Sequence, residues 1–169
     1  MKKLILASLL SLSFANAQAN VCEIPINQVA VGSVTLMQNF DQFKQTHPTA
    51  KVDQDRITLP EVDHAFVQEG VTSVGSIDFD PAKKQIIGFT LFYNGGKYAE
   101  YETPLDQFKT SILKHAKLPQ KGWVLSKDKE AYAYRCKDYQ VFIRQDHAVG
   151  RDSLGAVVWV FSRYSNSFE

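Results

Sequence analysis

The feature that most constrains the fold of this 169-residue chain is its pair of cysteines, Cys22 and Cys136. A bond between them would close a loop of more than a hundred residues and tie the start of the folded chain to a strand near its other end. In the chain-entropy account, such a loop restricts the unfolded chain by about 4–5 kcal/mol, less any native strain. Catalysis by a free thiol would need a neighbouring base, and the local sequence offers none. We therefore expect a disulfide between Cys22 and Cys136.

The first 19 residues, MKKLILASLLSLSFANAQA, have the pattern of a cleaved export signal. Lys2 and Lys3 precede an apolar run from Leu4 to Phe14, and small residues follow twice in the A-x-A cleavage pattern. The run is shorter than the roughly 20 apolar residues that span a bilayer as a helix. Export leads to oxidising conditions, where two cysteines usually pair.

The residues before Cys22 also predict whether the exported chain carries a lipid anchor. A lipoprotein signal would place a leucine-like residue three positions before Cys22 and a small residue directly before it, but Ala19 and Val21 occupy those positions. We expect no lipid anchor. No later segment is apolar for long enough to cross a membrane. The predicted localisation is the periplasm of a bacterium, or secretion from it.

Removal of residues 1–19 leaves residues 20–169, a length that suits a single domain with one core. The signal takes two lysines with it, so 17 basic residues face 18 acidic ones and the formal charge moves from +1 to −1. This near-neutral balance lacks the basic footprint of a nucleic-acid-binding protein. We predict no nucleic-acid partner.

Two segments have apolar residues at helical spacing. The stripe of the first is Leu36, Phe40, Phe43 and His47, and Pro48 ends the segment. The second has Thr103 as a predicted N-cap and Pro104 at the first helical position. Its stripe is Leu105, Phe108, Ile112 and Ala116.

Alternating segments separated by turn residues predict strands. The segment 85–93 is apolar on both faces, with Ile87, Phe89, Leu91 and Tyr93 on one of them, so we expect it at the centre of a sheet. The other predicted strands cover 74–80, 97–102, 130–136, 139–145 and 155–164. Because turns join most of these strands, we predict an α+β fold with a largely antiparallel sheet and two main helices packed on one face.

The segment VAVGSVTLMQNFDQF, within Val29 to Thr46, carries a resemblance. Its glycine, threonine and amphipathic-helix opening resembles that of small envelope domains related to beta-lactamase-inhibitor proteins and outer-membrane assembly lipoproteins. The resemblance implies a helical start followed by an antiparallel sheet, and action through protein contacts. The chain lacks the lipid cysteine of the assembly lipoproteins and the two-disulfide pattern of the inhibitors.

Two polar segments together suggest a possible metal site. EVDHAF holds Glu61, Asp63 and His64, and QDHAVGRD holds Asp146 and His147. Their nitrogen and oxygen atoms could bind a divalent cation only if the two loops met and further groups oriented the imidazoles. Two solvated loops explain the same residues more simply. We therefore predict no metal and no cofactor.

The loop from Arg144 to Gly155 is long for a hairpin connection and mixes both charge signs. A rigid sheet can hold such a loop for recognition, whereas surface pairing of its arginines with its aspartates would contribute little. Two tyrosines on opposite sides of a predicted edge strand are hard to bury together. The predicted binding residues are Arg144, Asp146, His147, Arg151, Asp152, Tyr98 and Tyr101.

The leading functional hypothesis is a non-catalytic periplasmic binding protein that recognises an envelope or exported protein, as an inhibitor or immunity protein does. The chain contains no G-x-S-x-G elbow, glycine-rich phosphate loop or H-E-x-x-H helix. Two alternatives stay open. One is a small metal-dependent envelope enzyme that uses His64 and His147, and the other is a structural envelope factor.

Overall fold

The computed structural model describes residues 21–93, 95, 97–100, 102–147 and 154–168, with only the backbone at positions 146, 147 and 154. The predicted export signal lies outside these ranges. None of the helices within them has the length and apolar character needed to cross a membrane. The helices are α1 (Phe40–Thr46), α2 (His64–Gln68) and α3 (Leu105–His115), preceded by a short 3-10 helix at Ile26–Gln28.

The strands form a two-stranded and an eight-stranded sheet. The small sheet contains β1 (Ala30–Val31) and β2 (Val34–Thr35). The strands of the large sheet are β3 (Lys51–Asp53), β4 (Arg56–Thr58), β5 (Ser73–Asp80), β6 (Gln85–Phe92), β7 (Val124–Leu125), β8 (Ala131–Arg135), β9 (Tyr139–His147) and β10 (Leu154–Ser162).

The large sheet has the order β3-β4-β5-β6-β10-β9-β8-β7, and all its neighbouring strands are antiparallel. This confirms the predicted α+β class and the antiparallel sheet, and the described residues form three α-helices where two main helices were predicted. After β6 the chain leaves the sheet to form α3, adds β7, β8 and β9, and returns as β10 beside β6. As predicted, the segment that is apolar on both faces lies near the centre of the sheet.

One face of the sheet carries the core. Val158 of β10 lies between Leu91 of β6 and Ile143 of β9, and all three side chains are fully buried. The next core row repeats this pattern with Phe89, Val160 and Val141. Removing a side chain of this size from water stabilises a fold by about 1.5–3 kcal/mol.

The helices add aromatic side chains to the same core. Phe43 of α1, Phe66 of α2 and Phe108 of α3 are fully buried. Phe40 at the start of α1 meets Phe79 of β5 edge-on, with ring centroids 5.8 Å apart. The ring of Phe108 lies 5.6 Å from that of Tyr93, which follows β6.

Local capping explains where the helices begin. The first predicted helix starts later than expected, at Phe40, because the Asn39 side chain accepts a hydrogen bond from the Asp41 backbone. Leu36 is buried but precedes this helix. The third helix begins one residue later than the predicted Thr103 N-cap, with Pro104 as its N-cap. Helix α2 is too short to have a recognisable apolar period, and the sequence did not predict it.

The predicted faces of β6 need one correction. Ile86, rather than Ile87, is fully buried in the core. The reason is a register shift in the pairing of β5 with β6, where Asp78 pairs with Gly88 but Phe79 pairs with Ile86. A bulge inserts one unpaired residue and reverses the alternation beyond it, and here that residue is Ile87.

The prediction also includes one strand that is not formed and misses several short strands. The predicted strand over residues 97–102 is not formed by the described residues of that segment, which lie in turns and one isolated bridge. Strands β3, β4 and β7 were not predicted. Each has only two or three residues and sits at or near a sheet edge, where most of its side chains are exposed.

The structure confirms the disulfide between Cys22 and Cys136, whose Cα atoms are 5.1 Å apart. Hydrogen bonds also hold Glu23 and Ile24, which follow Cys22, against β8 and β9. The Glu23 backbone N–H donates to the Tyr134 hydroxyl at 2.8 Å, and the Tyr139 hydroxyl donates to the Ile24 carbonyl at 3.2 Å. Burial raises the pKa of the Tyr139 hydroxyl above its ordinary value. The start of the described chain is thus fixed beside β8 and β9.

Replacing both Cys22 and Cys136 by serine is expected to lower the free energy of unfolding by about 4–5 kcal/mol, because the unfolded chain regains the freedom of a long loop. Urea unfolding of the oxidised parent and the double-serine variant measures the difference. The reduced parent serves as control and should match the variant. Equal unfolding midpoints for the oxidised and reduced parent would contradict this role of the bond.

A buried histidine joins the first two helices. His47, at the C-terminal end of α1, is fully buried, and its ring stacks between Phe43 and Phe66 with centroids 4.2 and 4.3 Å away. Its Nδ1 lies 2.7 Å from Oδ2 of Asp63, and Oδ1 of Asp63 accepts a hydrogen bond from the Phe66 backbone at the start of α2. One carboxylate therefore fixes the His47 ring and caps α2.

Changing Asp63 to alanine is expected to cost about 2–4 kcal/mol of unfolding free energy, because both the cap and the hydrogen bond to buried His47 are lost. Asp63→Asn retains acceptor oxygen and should cost less. Chemical denaturation measures both variants, with Asp53→Ala on the exposed strand β3 as the matched control. A cost for Asp63→Ala no larger than that of the control would refute this account.

Candidate functional site

The face of the large sheet opposite the core, which we call the second face, carries three rows of side chains. Strand pairing places their members side by side across the sheet. The middle row is Val124, Ala133, Phe142, Trp159, Thr90 and Ser76. The flanking rows are Ala131, Arg144, Val157, Phe92 and Ser73, and Arg135, Gln140, Phe161, Gly88, Asp78 and Arg56.

Arginine and aromatic side chains stack on one another at the centre of the second face. The Arg144 guanidinium lies 4.5 Å from the centroid of a Trp159 ring, and that of Arg135 lies 5.0 Å from the Phe142 ring. Phe142 and Trp159 meet edge-on at 6.5 Å, and Trp159 and Phe161 do so at 6.3 Å. Cation–π contacts of this kind contribute about 0.5–1 kcal/mol each where they are exposed.

A cavity of 510 Å³ opens on this cluster. Its lining combines aromatic rings with hydrogen-bonding groups: Thr90, Ala131, Phe142, Arg144, Trp159, Phe161 and Ser167. Phe142 and Trp159 are half-buried. The indole N–H of Trp159 is buried and has no hydrogen-bond partner among the described residues. The volume lies within the range of small-ligand pockets, although the cavity is shallow and open along the sheet.

Gly88 of β6 has no side chain, which lets the Phe161 ring lie close to the sheet. A Cβ atom at Gly88 would stand 2.9 Å from Oδ2 of Asp78, 3.0 Å from Cδ1 of Phe161 and 3.3 Å from the carbonyl oxygen of Val160. The hydroxyl of Ser165, in the segment after β10, donates to the same Asp78 oxygen at 3.1 Å. The C-terminal segment therefore borders the second face on the side of β5 and β6.

The structure places Arg144 in the second face, but it describes only part of the predicted binding loop. In β9, the backbone of Asp146 pairs with Gly155 and that of His147 with Leu154. The side chains of Asp146 and His147 lie outside the described part of the chain, as do Arg151 and Asp152 altogether. Of the predicted binding residues in this loop, Arg144 is thus the one whose side chain lies in the described part of the chain.

The two tyrosines predicted to bind lie away from the second face or outside the description. Tyr98 is half-buried and stacks on His115 of α3 with centroids 4.5 Å apart. Its ring also lies 6.1 Å from that of Tyr93, whose hydroxyl pKa is raised by burial. Tyr101 is not among the described residues. The position of Tyr98 matches a packing role beside the core.

The residues considered for a metal site take other partners. Asp63 contacts His47, while His64 is exposed and its Nε2 lies 2.8 Å from the Gln68 side-chain nitrogen. Among the described residues, no group of three or more histidine, cysteine or acidic side chains could hold a metal ion. The side chain of His147, the other histidine of this hypothesis, lies outside the described part of the chain.

Sequence reasoning did not select the residues that dominate the second face. Phe142, Phe161 and Arg135 were assigned only to strands, and Trp159, although considered with the other aromatic residues, was not among the predicted binding residues. A signal was present, because the alternation of β10 places its large aromatic residues on one face and its small or β-branched ones on the other. The same alternation in β9 places Phe142 and Arg144 together.

Comparison of the chain with protein-family models, with curated proteins and with solved structures finds no match. The class of protein is therefore defined by its fold and its surface. It is a disulfide-linked α+β domain, built on an eight-stranded antiparallel sheet with arginine-stacked aromatic side chains on one face.

Changing Gly88 to alanine is expected to lower the free energy of unfolding by about 1–3 kcal/mol, because the added methyl group collides with Asp78, Phe161 and a strand carbonyl. Ser76→Ala, on the same face, adds no atoms and should change it by less than about 0.5 kcal/mol. Thermal and urea unfolding measure both variants. Equal stability of Gly88→Ala and the parent would show that the rings can move away from the sheet at no cost.

Proposed function

We propose that this protein is an exported, non-catalytic binding protein that recognises an envelope or exported protein through the second face, together with the Arg144–Gly155 loop. The helices cover the core face, and the second face is the docking surface. An inhibitor or immunity role, in which a sheet face blocks a partner's functional surface, belongs to this class.

The single observation that carries this proposal is the arginine–aromatic cluster of Arg135, Phe142, Arg144 and Trp159 on a sheet face. Tryptophan and arginine are the residues that most often dominate the binding energy of protein interfaces. A sheet holds them on a rigid backbone, so little conformational freedom is lost when a partner binds. Core packing does not account for them, because the core occupies the opposite face.

The charged groups of the second face fit binding better than catalysis. The described ionisable side chains of its rows are Asp53, Arg56, Asp78, Arg135 and Arg144. Arginine keeps its proton throughout the physiological range, so it cannot act as a general acid or base. Asp78 accepts a hydrogen bond from Ser165 at one end of the face. These groups can position and attract a partner, and they suit no proton-transfer step between a paired acid and base.

Two observations support an extracytoplasmic site of action. The disulfide between Cys22 and Cys136 is typical of proteins that mature in oxidising compartments. The pattern of residues 1–19 has the features of an export signal. The resemblance of the Val29 to Thr46 region to small envelope domains points to the same compartment and to action through protein contacts.

Affinity capture tests the proposal. The chain is expressed with its own export signal and a tag after residue 19, because a C-terminal tag would stand beside the cavity-lining Ser167. Capture from envelope extract compares the parent with Phe142→Ala/Trp159→Ala, a face variant, and with Asp146→Ala/His147→Ala/Arg151→Ala, a loop variant. Quantitative mass spectrometry then measures each retained protein.

We expect one partner that is retained by the parent and reduced at least tenfold by the face variant. Val67→Ala, at an exposed position of helix α2, is the control and should retain that partner fully. Circular dichroism checks that every variant is folded. Retention of the same proteins by the parent and the folded face variant would exclude the second face as the docking surface.

A further inference from the structure

In the described part of the chain, the large sheet ends in two edge strands of different character, β3 on one side and β7 on the other. All three residues of β3 are exposed, and Lys51 and Asp53 are charged. Charged side chains on an edge strand oppose the addition of a further strand. Both residues of β7 are apolar, and the exposed fractions of Val124 and Leu125 are 65% and 40%. Strand β7 therefore lacks the charges that protect β3.

The hydrogen bonds between β7 and β8 show which backbone groups of this edge are directed outwards. The Ser126 N–H, directly after β7, donates to the Ala131 carbonyl at 2.8 Å, and Val124, two residues earlier, faces β8 in the same manner. Hydrogen bonding alternates along an antiparallel pair, so Leu125 turns its N–H and its carbonyl away from β8. The Trp123 carbonyl also points outwards, because the Val124 N–H in the same planar peptide unit faces β8. Two acceptors and one donor thus line the outer edge of β7.

The surroundings of β7 keep these groups in position. The Trp123 indole N–H donates to the Pro119 carbonyl at 2.8 Å, and the Trp123 ring lies 5.9 Å from that of Tyr134 in β8. The disulfide of Cys136 fixes the end of β8. An incoming strand therefore meets a backbone that is already ordered, so less conformational freedom is lost on binding.

The outer edge of β7 is continuous with the second face. Val124 belongs to the middle row of that face, beside Ala133 and in line with Phe142. A strand added to β7 would direct its side chains alternately to the two sides of the sheet, and one of them would extend this row next to Val124. A partner that docks on the second face can thus pair with β7 at the same time.

We propose that β7 is a strand-addition site, at which an extended segment of the partner protein pairs antiparallel with residues 123–125 and adds a further strand to the large sheet. Backbone hydrogen bonds supply the recognition, and β-branched apolar side chains cover Val124 and Leu125. This inference rests on the proposed function for the source of the segment and adds the segment's conformation.

A second copy of this chain fits the same edge less well. Antiparallel pairing of two β7 strands about Val124 would place Lys121 of each copy opposite Lys127 of the other, and both side chains are exposed. Like charges that face each other across two strands are destabilising. The partner segment is therefore the better occupant, and self-pairing is an outcome of the test.

Nuclear magnetic resonance of the labelled, oxidised chain tests the site with defined peptides. The probe is acetyl-Glu-Thr-Val-Ile-Val-Thr-Glu-amide, whose isoleucine comes opposite Val124 and whose valines come opposite Trp123 and Leu125 in antiparallel pairing. In this register the two valine N–H groups donate to the outward carbonyls, whereas the isoleucine N–H points to solvent. Two matched peptides carry N-methyl groups, one on both valines and the other on the isoleucine.

We expect the probe and its isoleucine-methylated form to shift the backbone signals of Trp123 and Leu125, with the signal of Val52 on β3 unchanged. The valine-methylated form should need an at least fivefold higher concentration, because neither of its valines can donate to β7.

A variant of the chain tests the same hydrogen bonds from the other side. Leu125→Pro should weaken the probe at least fivefold, as read from the Trp123 signal, because the proline ring replaces the outward N–H while the side paired with β8 is left intact. Leu125→Val keeps that N–H and should weaken the probe less than twofold. Circular dichroism checks that both variants are folded, and the methylated peptides decide the question if Leu125→Pro is not.

Equal binding of the valine-methylated peptide and the probe, or no shift with any peptide, would overturn the strand-addition proposal. A Leu125 signal that moves with protein concentration alone would replace the partner segment with a second copy of the chain. The capture experiment separates the two levels. A partner lost by the face variant would retain the proposed function even when the peptides fail, and peptide binding at β7 without any face-dependent partner would contradict the proposed function alone.

Discussion

The pairing of β10 with β6 is the interaction on which the rest of the structure depends. It is the one junction between the two halves of the large sheet, β3 to β6 on one side and β7 to β10 on the other. Every row of side chains crosses this junction. Val158 beside Leu91 continues the core, and Trp159 beside Thr90 continues the second face. Because the paired strands are far apart in the chain, their contact forms only after a large loop closes.

The disulfide stabilises the second half of the sheet, on the side away from β6. Cys136 follows β8, and the bond holds the start of the described chain against β8 and β9 through Glu23 and Ile24. The first half is secured differently, by the contact of buried His47 with Asp63 between α1 and α2. A covalent link and a buried polar pair thus stabilise opposite halves, and the β6–β10 pairing joins them. The central rings of the second face come from β9 and β10, which lie in the half that the disulfide stabilises.

The elements predicted correctly have strong local signals. Strands β5, β6, β8, β9 and β10 alternate over five or more residues, and the buried stripe of α3 follows a helical period. The elements that the sequence did not predict have weak local signals. Helix α2 exists because Asp63 both caps it and bonds to His47, and the bulge that buries Ile86 arises from the pairing of β6 with β5. In the site, Arg144 was predicted, but its ring partner Trp159 was not.

By itself, the sequence determined the α+β class, the main strands and the Cys22–Cys136 bond. Alternation and turn residues act locally, and a single pair of cysteines leaves only one possible disulfide. Only the tertiary structure decided the strand order, the bulge and the clustering of Arg135, Phe142, Arg144 and Trp159. Alternation states which residues of one strand share a face. It contains no information about which strands become neighbours, and a surface assembled across β8, β9 and β10 exists only once they do.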